Sequence, residues 1–182
     1  MANSFYGNVI YIDAPGIVST KGIYVTAIQY FPYAVTNTVV LNWWDEANPT
    51  AGSHIFMKAT AATGVITDDD TAHDALTAAA FPDTSVVKVR GGNGLVANHT
   101  YHLIETAGND DHFHVTPTAS WTDETSAKYE IISYPARTAF MALGQTVANT
   151  MESKFHYFGG HYFPNLICET LSASSICMVY VQ

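Results

Sequence analysis

Charged residues are scarce in this chain. Seven residues are Lys or Arg and sixteen are Asp or Glu, together 13% of the sequence, whereas a soluble monomer usually carries about 25%. Long apolar runs are absent as well, since no stretch approaches the roughly 18 consecutive apolar residues of a membrane-spanning helix. With 48% hydrophobic residues and no membrane partner expected, this composition predicts a protein whose surface is largely covered by neighbouring subunits.

Basic residues are fewer than acidic ones. The net charge is −9, and the seven cations are scattered along the chain as Lys21, Lys58, Lys88, Arg90, Lys128, Arg137 and Lys154. Binding to a nucleic-acid backbone needs clustered Lys and Arg side chains that neutralise phosphates. Direct nucleic-acid binding is therefore not expected.

The sequence also lacks the signatures of catalysis and export. It contains no Gly-x-Ser-x-Gly, no His-Glu-x-x-His and no phosphate-binding loop, so neither an enzyme nor a bound cofactor is predicted. The segment from Met1 to Gly7 lacks the basic and apolar regions of a signal peptide. The two cysteines have no zinc-finger spacing, and synthesis in a reducing cytosol is expected.

Strand-sized runs of β-branched and aromatic residues are abundant. Strands are predicted over residues 22–31, 38–44, 54–60, 85–89, 100–106, 112–116, 129–133, 154–158, 162–170 and 175–181, with a turn over 32–37. About ten short strands separated by turns predict an all-β fold, an antiparallel β-sandwich or jelly roll. We expect a single domain over residues 1–182, with an insertion or subdomain at about 61–150.

Two short helices are predicted within this insertion. The first runs from Thr71 to Ala80 behind an Asp70 cap. The second runs from Thr138 to Asn149, where apolar residues recur at helical spacing.

Two stretches resemble virion proteins of tailed bacteriophages. In residues 94–119 a Gly-Leu-x-x-x-x-x-Tyr strand leads through a turn to a Phe-x-Val strand, at Gly94, Leu95, Tyr101, Phe113 and Val115. Residues 21–44 and 155–181 resemble the early and C-terminal hairpins of small β-sandwich head proteins. This chain departs from that pattern by about ninety additional residues between its two ends.

The resemblance implies a capsid decoration (cement) protein or a minor head or tail protein, with no catalytic residues to carry over. Such a protein would be assembled in the host cytoplasm and reside in the virion. Its expected partners are the major capsid protein, other virion proteins and further copies of itself.

Histidines offer an alternative reading. His112 and His114 are two residues apart, so on a strand both point to one face. His102 lies on the preceding predicted strand and approaches them if the two strands form a hairpin about Asn109. A His-x-His pair with a nearby carboxylate suits iron, manganese or zinc in cupin-type sandwiches. The alternatives are a cupin-like metal-dependent enzyme or a carbohydrate-binding sandwich, against plain solvent-facing histidines.

The two cysteines are predicted to face each other. If residues 171–174 form a turn between the last two strands, Cys168 lies opposite Cys177, near the distance of a disulfide. In a cytosolic particle a reduced cross-strand pair is favoured.

Aromatic residues cluster along the sequence and are predicted to form an interface. Adjacent aromatics on a strand point to opposite faces, so about half of them lie outside a single core. Exposed aromatic anchors concentrate binding energy at protein interfaces. The alternative is that the insertion or a helix covers them. The predicted interface residues are Tyr30, Phe31, Tyr33, Trp43, Trp44, Tyr157, Phe158, Tyr162 and Phe163.

Overall fold

The computed structural model describes residues 3–34, 36–60, 63–68, 76–77, 79–83, 85–91, 100–106, 112–116, 123–134, 141–144 and 153–182. Every regular element among them is a β-strand, and all of the strand pairs are antiparallel. The strands are β1 (Ser4–Tyr6), β2 (Val9–Ile12), β3 (Gly16–Ser19), β4 (Ile23–Phe31), β5 (Thr38–Asn42), β6 (Ala51–Thr60), β7 (Val65–Asp68), β8 (Val86–Gly91), β9 (Thr100–Thr106), β10 (His112–Thr116), β11 (Glu124–Tyr134), β12 (Met141–Gly144), β13 (Lys154–Phe163), β14 (Leu166–Leu171) and β15 (Ile176–Val181).

The chain folds into two compact units. The first comprises Met1–Trp44 and Arg137–Gln182, and the second comprises Asp45–Ala136. The second unit is therefore inserted in the sequence of the first, between β5 and β12. Its bounds differ from the insertion expected at about 61–150, because β6 begins the second unit and β12 belongs to the first.

The first unit contains two sheets, with strand orders β1-β2-β15-β4-β13 and β12-β5-β14-β3. Each of four strands near the start of the unit pairs with a strand near its end, from the outermost pair inwards: β2 with β15, β3 with β14, β4 with β13 and β5 with β12. Four nested antiparallel pairs divided between two sheets form a jelly roll. The predicted all-β sandwich or jelly-roll class is thus confirmed, and we call this part the jelly-roll unit.

One apolar core lies between the two sheets of the jelly-roll unit. Period-2 alternation sends every second side chain inward, as in β2, where Ile10 and Ile12 are fully buried. The facing sheet contributes Val39 and Leu41 to the same cluster. Burial of each such side chain stabilises the fold by about 1.5–3 kcal/mol relative to its exposure.

The second unit is a closed barrel of six strands in the order β10-β7-β6-β11-β8-β9, and we call it the barrel unit. Its core includes Ile66, Val87 and Tyr129, together with the stacked rings of Phe81 and Phe113, whose centroids are 5.5 Å apart. Closure pairs every strand on both sides, which leaves no open sheet edge.

One predicted helix is corrected. Within residues 138–149 the structure describes Met141–Gly144, and these form β12, paired with β5 from Met141 opposite Leu41 to Gly144 opposite Thr38. Pairing with a neighbouring strand outweighs the helical spacing of apolar residues, and Gly144 is a poor helix former. Residues 70–75 of the other predicted helix lie outside the described residues. Next to them, Ala80 and Phe81 donate backbone hydrogen bonds to the Thr77 carbonyl in a turn.

The predicted strand over 162–170 is divided in two. β13 ends at Phe163 and β14 begins at Leu166, with Pro164, which cannot donate a ladder hydrogen bond, between them. β13 and β14 belong to different sheets. Strand bounds at 100–106 and 112–116 agree with prediction, whereas β1, β2, β3, β7 and β12 were not predicted.

Candidate functional site

The outer face of the five-stranded sheet is the most unusual surface of the jelly-roll unit. Directly paired residues on antiparallel strands point to the same side of a sheet. A residue paired with a core residue therefore points inward, and a residue next to a core residue in sequence points outward. The outward rows are Ser4-Tyr11-Met178-Gln29-Phe155, Tyr6-Val9-Tyr180-Ala27-Tyr157, Ile176-Phe31 and Tyr24-Tyr162. We call these fourteen residues the aromatic sheet face.

Aromatic rings cover most of this surface. Five of them are more than half exposed: Tyr157 at 72%, Tyr6 at 69%, Phe155 at 59%, and Tyr24 and Tyr162 at 52% each. The rings contact one another: the centroids of Tyr24 and Tyr162 are 5.1 Å apart, and those of Phe155 and Tyr180 are 6.2 Å apart. Soluble monomers rarely expose large apolar surfaces, so this face is the candidate functional site.

The aromatic sheet face carries no formal charge. None of its fourteen residues is Asp, Glu, Lys or Arg, although the chain has a net charge of −9. Its polar atoms are hydroxyls and amides, and the Tyr180 hydroxyl donates a 3.0 Å hydrogen bond to Oε1 of Gln29. Such a surface offers shape, apolar area and neutral hydrogen-bonding groups, and no charge.

β13 forms one edge of this face and is shaped by glycine. Its pairing with β4 shifts between Tyr157 and His161, where Gly159 and Gly160 adopt φ angles of 69° and 90°. Positive φ at two successive residues favours glycine and produces a bulge. Beyond the bulge, the Tyr162 ring lies against Gly22, where an added Cβ would be only 2.7 Å from its Cε2 atom.

The predicted interface residues divide between core and surface. Tyr30, Trp44 and Phe163 are buried in the jelly-roll unit, and Trp43 and Phe158 are partly buried against its core. For these five, burial within the chain, complete or partial, replaces the predicted exposed position. Tyr157, Tyr162 and the half-buried Phe31 belong to the aromatic sheet face. Tyr33 is 63% exposed on the turn after β4, outside the paired rows of that face.

Tyr6, Tyr11, Tyr24, Phe155 and Tyr180 belong to the aromatic sheet face but were not predicted. Alternation within β4 would have assigned Tyr24 to the face opposite the core residue Val25. Phe155 and the core residue Phe163 are eight residues apart, so strict alternation would have placed them on one side, and the bulge at Gly159 and Gly160 is what separates them. Assigning Tyr6, Tyr11 and Tyr180 requires the strand order, which places β1, β2 and β15 in the same sheet.

Trp44 is held in the core by an asparagine side chain. The Trp44 backbone N–H donates to Oδ1 of Asn165 at 2.8 Å, and Nδ2 of Asn165 donates to the Trp44 carbonyl at 2.8 Å. Asn165 is 3% exposed, so its amide replaces a backbone partner for both polar groups of Trp44. This arrangement secures the end of the jelly-roll unit at which the barrel sequence begins.

The structure does not bring the three candidate metal-binding histidines together. On β10, Phe113 and Val115 are buried in the barrel core while His112 and His114 alternate with them and face outward. On β9, His102 is 1% exposed and lies two residues from the core side chain Ile104, on the inward side. Among the described residues no group of three His, Cys, Asp or Glu side chains is placed to hold a metal ion. Asn109, about which the hairpin is predicted, lies outside the described residues.

The two thiols are not cross-strand neighbours. β14 pairs with β3 and β5, whereas β15 pairs with β2 and β4, so Cys168 and Cys177 come from different sheets into the same core. Both are free and buried. Burial, with a smaller contribution from Glu169, raises the pKa of Cys168 to about 12. Burial, followed by the neighbouring Cys168, also raises the pKa of Cys177.

A small polar cluster lies on the outward side of the barrel unit. Nζ of Lys88 is 3.9 Å from Oε2 of Glu46 and 4.9 Å from the centroid of the Tyr101 ring. Burial, a hydrogen bond to Glu46 and the Glu46 charge raise the pKa of Tyr101, and burial followed by the Glu46 charge raises that of Tyr134. Neutral phenols around an ion pair stabilise the position of the Glu46 loop on β8 and β9.

Comparison of the chain with protein-family models, with curated proteins and with solved structures gives no match. The two segments that resemble phage proteins are placed as follows. Gly94 and Leu95 lie outside the described residues, whereas Tyr101 is on β9 and Phe113 and Val115 are on its partner β10. Early strands pair with late ones, β4 with β15 and β5 with β14, but neither predicted hairpin forms.

Across the part of the chain that the structure describes, no helix has the length and apolar character needed to span a membrane.

Proposed function

We propose that this protein is a structural subunit of a phage virion, a capsid decoration protein or a minor head or tail protein, that stabilises the particle by protein–protein contact. The observation that carries the proposal is the aromatic sheet face, an uncharged patch with five rings more than half exposed. A surface of this size is costly to leave in water and marks a protein-binding site. The jelly-roll topology supports the same class, since viral capsid domains commonly have it.

The scarcity of charge supports this proposal independently. Only 13% of the residues are charged, and interfaces that become buried in assemblies are depleted of charged residues and enriched in aromatics. The net charge of −9 disfavours contact with packaged nucleic acid. The mechanism is geometric: repeated copies of a rigid sandwich cover surface between neighbouring subunits, and small contact energies accumulate over the particle.

The test uses particles produced by the phage or host that encodes the chain. We expect peptides of the chain to be found by mass spectrometry in density-purified particles, at a constant ratio to the major capsid protein. A chain with Tyr157→Glu is expected to be lost from those particles, because a carboxylate then replaces the most exposed ring of the contact. Tyr33→Glu, similarly exposed but outside the paired rows of the face, is the matched control and is expected to remain. Absence of the wild-type chain from purified particles would contradict the proposal.

Glycan binding is the second candidate, and the exposed ring pair Tyr24 and Tyr162 favours it. Lectin domains also adopt jelly rolls, and Tyr offers an apolar ring with a hydroxyl that hydrogen-bonds. A glycan array probed with wild-type and Tyr162→Ala protein distinguishes the two. Binding that depends on Tyr162, in a chain absent from particles, would replace the virion proposal with a lectin function.

A further inference from the structure

We propose that the aromatic sheet face is a homodimer interface, on which a second copy of this chain packs its own aromatic sheet face. This inference names the partner of the surface on which the proposed virion function rests. The homodimer is tested with the purified protein and the virion function with purified particles, so either proposal can be contradicted without the other.

The first argument is area. A fully exposed aromatic side chain contributes about 200 Å², so the five exposed rings alone present about 600 Å². Two copies face to face would then bury about 1,200 Å², which exceeds the approximately 1,000 Å² expected of a specific interface. The half-buried Tyr11, Met178 and Tyr180 extend the same surface.

The second argument is self-complementarity of shape. The row Tyr6-Val9-Tyr180-Ala27-Tyr157 places an alanine, only 4% exposed, between two tyrosines. The small side chain of Ala27 lies beside the large exposed ring of Tyr157, so at this row the face steps down from β13 to β4. In an isologous dimer the ridge of each copy meets the depression of the other, and residue contacts occur twice. Packing of two sheets by interdigitated side chains is the usual arrangement between sheet faces.

The third argument is charge. Two chains of net charge −9 repel one another, and an interface between copies must keep like charges out of contact. The aromatic sheet face meets that requirement at all fourteen positions. A capsid partner selected by electrostatic complementarity would instead be expected to meet charged residues on this surface.

The face, not the edge of β13, is the surface assigned to the second copy. β13 has one strand neighbour, β4, but the two glycines of positive φ interrupt its extended backbone at Gly159 and Gly160. Bulges of this kind protect sheet edges against pairing with another strand. Packing between faces needs no backbone groups and leaves the bulge in place.

The experiment is sedimentation velocity and light scattering of the purified chain over a concentration series. The expected result is a reversible dimer of twice the 19.8 kDa chain mass. Tyr157→Glu is expected to raise the dimer dissociation constant about 100-fold or more, because the most exposed ring of the face is lost on both copies. Tyr33→Glu, the matched control at 63% exposure, is expected to change that constant by less than about threefold. Both substitutions are at exposed positions, and a cooperative thermal unfolding transition of each variant establishes that it folds.

A photo-crosslinking residue in place of Tyr157 identifies the surface that it meets. Cross-links to β4 or β15 of the other copy are expected. Cross-links confined to β13 would overturn packing between faces in favour of edge pairing. A monomer at all concentrations, or a dimer unaffected by Tyr157→Glu, would overturn the inference. If that monomer is nevertheless found in virions, the face binds another virion protein and the proposed function stands. A dimer that is absent from virions would support the homodimer interface and contradict the proposed virion function.

Discussion

The jelly-roll unit and the barrel unit use the same strand alternation but differ on the side that faces away from their cores. In the barrel unit, several outward positions carry charge or imidazole: Arg90 forms an ion pair with Glu130, and Lys88 pairs with Glu46. In the jelly-roll unit, eight of the fourteen outer positions of the five-stranded sheet are aromatic and none is charged. All seven large apolar side chains exposed in the described part of the chain belong to the jelly-roll unit.

The outer surfaces of the two units differ in their expected interaction with water. The closed barrel has no open sheet edge, and charged side chains such as Arg90 lie on its outer side. The jelly-roll unit presents an uncharged aromatic face, and covering such a surface with another protein would gain free energy. The proposed binding therefore rests on the aromatic sheet face.

The largest expected effect tests whether each unit depends on its own core. Trp44→Ala is expected to destabilise the jelly-roll unit by about 3–5 kcal/mol, and Phe113→Ala to destabilise the barrel unit similarly, because both rings are fully buried. Hydrogen exchange read by mass spectrometry should show the greatest loss of protection in β4, β5 and β14 for the first variant. For Phe113→Ala the greatest loss of protection should be in β7, β8 and β10. Equal loss of protection in all strands of both variants would show that the two cores unfold as one.

The next effect is a loss of stability at high pH in the jelly-roll unit, because both buried cysteines belong to that unit. Burial raises their pKa above the ordinary value of 9.0, to about 12 for Cys168. The stability that the protonated thiols contribute is fully present below pH 9 and is lost as pH rises toward 12. At pH 10 the unfolded chain gains about 1.4 kcal/mol for each ionised thiol.

The check is urea unfolding at pH 8 and pH 10 of the wild type and of the variant with Cys168→Ala and Cys177→Ala. Between these pH values the wild type is expected to lose about 2–3 kcal/mol more stability than the variant. The tyrosines with raised pKa values titrate in both proteins and cancel in the comparison. Identical losses would mean that the thiols ionise equally in the folded and unfolded chain.

The smallest effect concerns histidines on opposite sides of the barrel wall. His102→Ala is expected to destabilise the barrel unit by about 1–3 kcal/mol, because it removes a buried polar side chain. His114→Ala is expected to cost about 0.5 kcal/mol or less, since the ring faces outward with one 3.3 Å contact to the Thr63 carbonyl. Thermal unfolding with and without added zinc measures both. Zinc stabilisation that is abolished by either substitution would contradict the separation of these rings and restore the metal-site hypothesis.

Local patterning predicted much of the fold. Runs such as residues 23–31 and 176–181 are rich in β-branched and aromatic residues, and both form strands of the jelly-roll unit. The short strands β1, β2 and β3 were missed because three or four residues give too little alternation to distinguish a strand from a loop. β12 was taken for a helix because only its pairing with β5 identifies it as a strand.

The candidate site was predicted only in part, for a different reason. The clustering of aromatics indicated that some rings lie outside the core, and Tyr157 and Tyr162 do so. The same pattern did not distinguish them from Tyr30, Trp44 and Phe163, which are buried. For Cys168 and Cys177 the sequence predicted neighbouring strands, and they instead reach one core from two sheets.

Composition and period-2 alternation are enough to predict an all-β protein with little charge, because they can be read from residues close together in the chain. Which side of each strand belongs to the core depends on long-range strand pairing. Val9 and Tyr180, like Ala27 and Tyr157, are placed opposite each other by strands from distant parts of the sequence. Alternation states only that neighbouring side chains point to opposite sides. Long-range pairing chooses the side that is buried and the side that is offered to a partner.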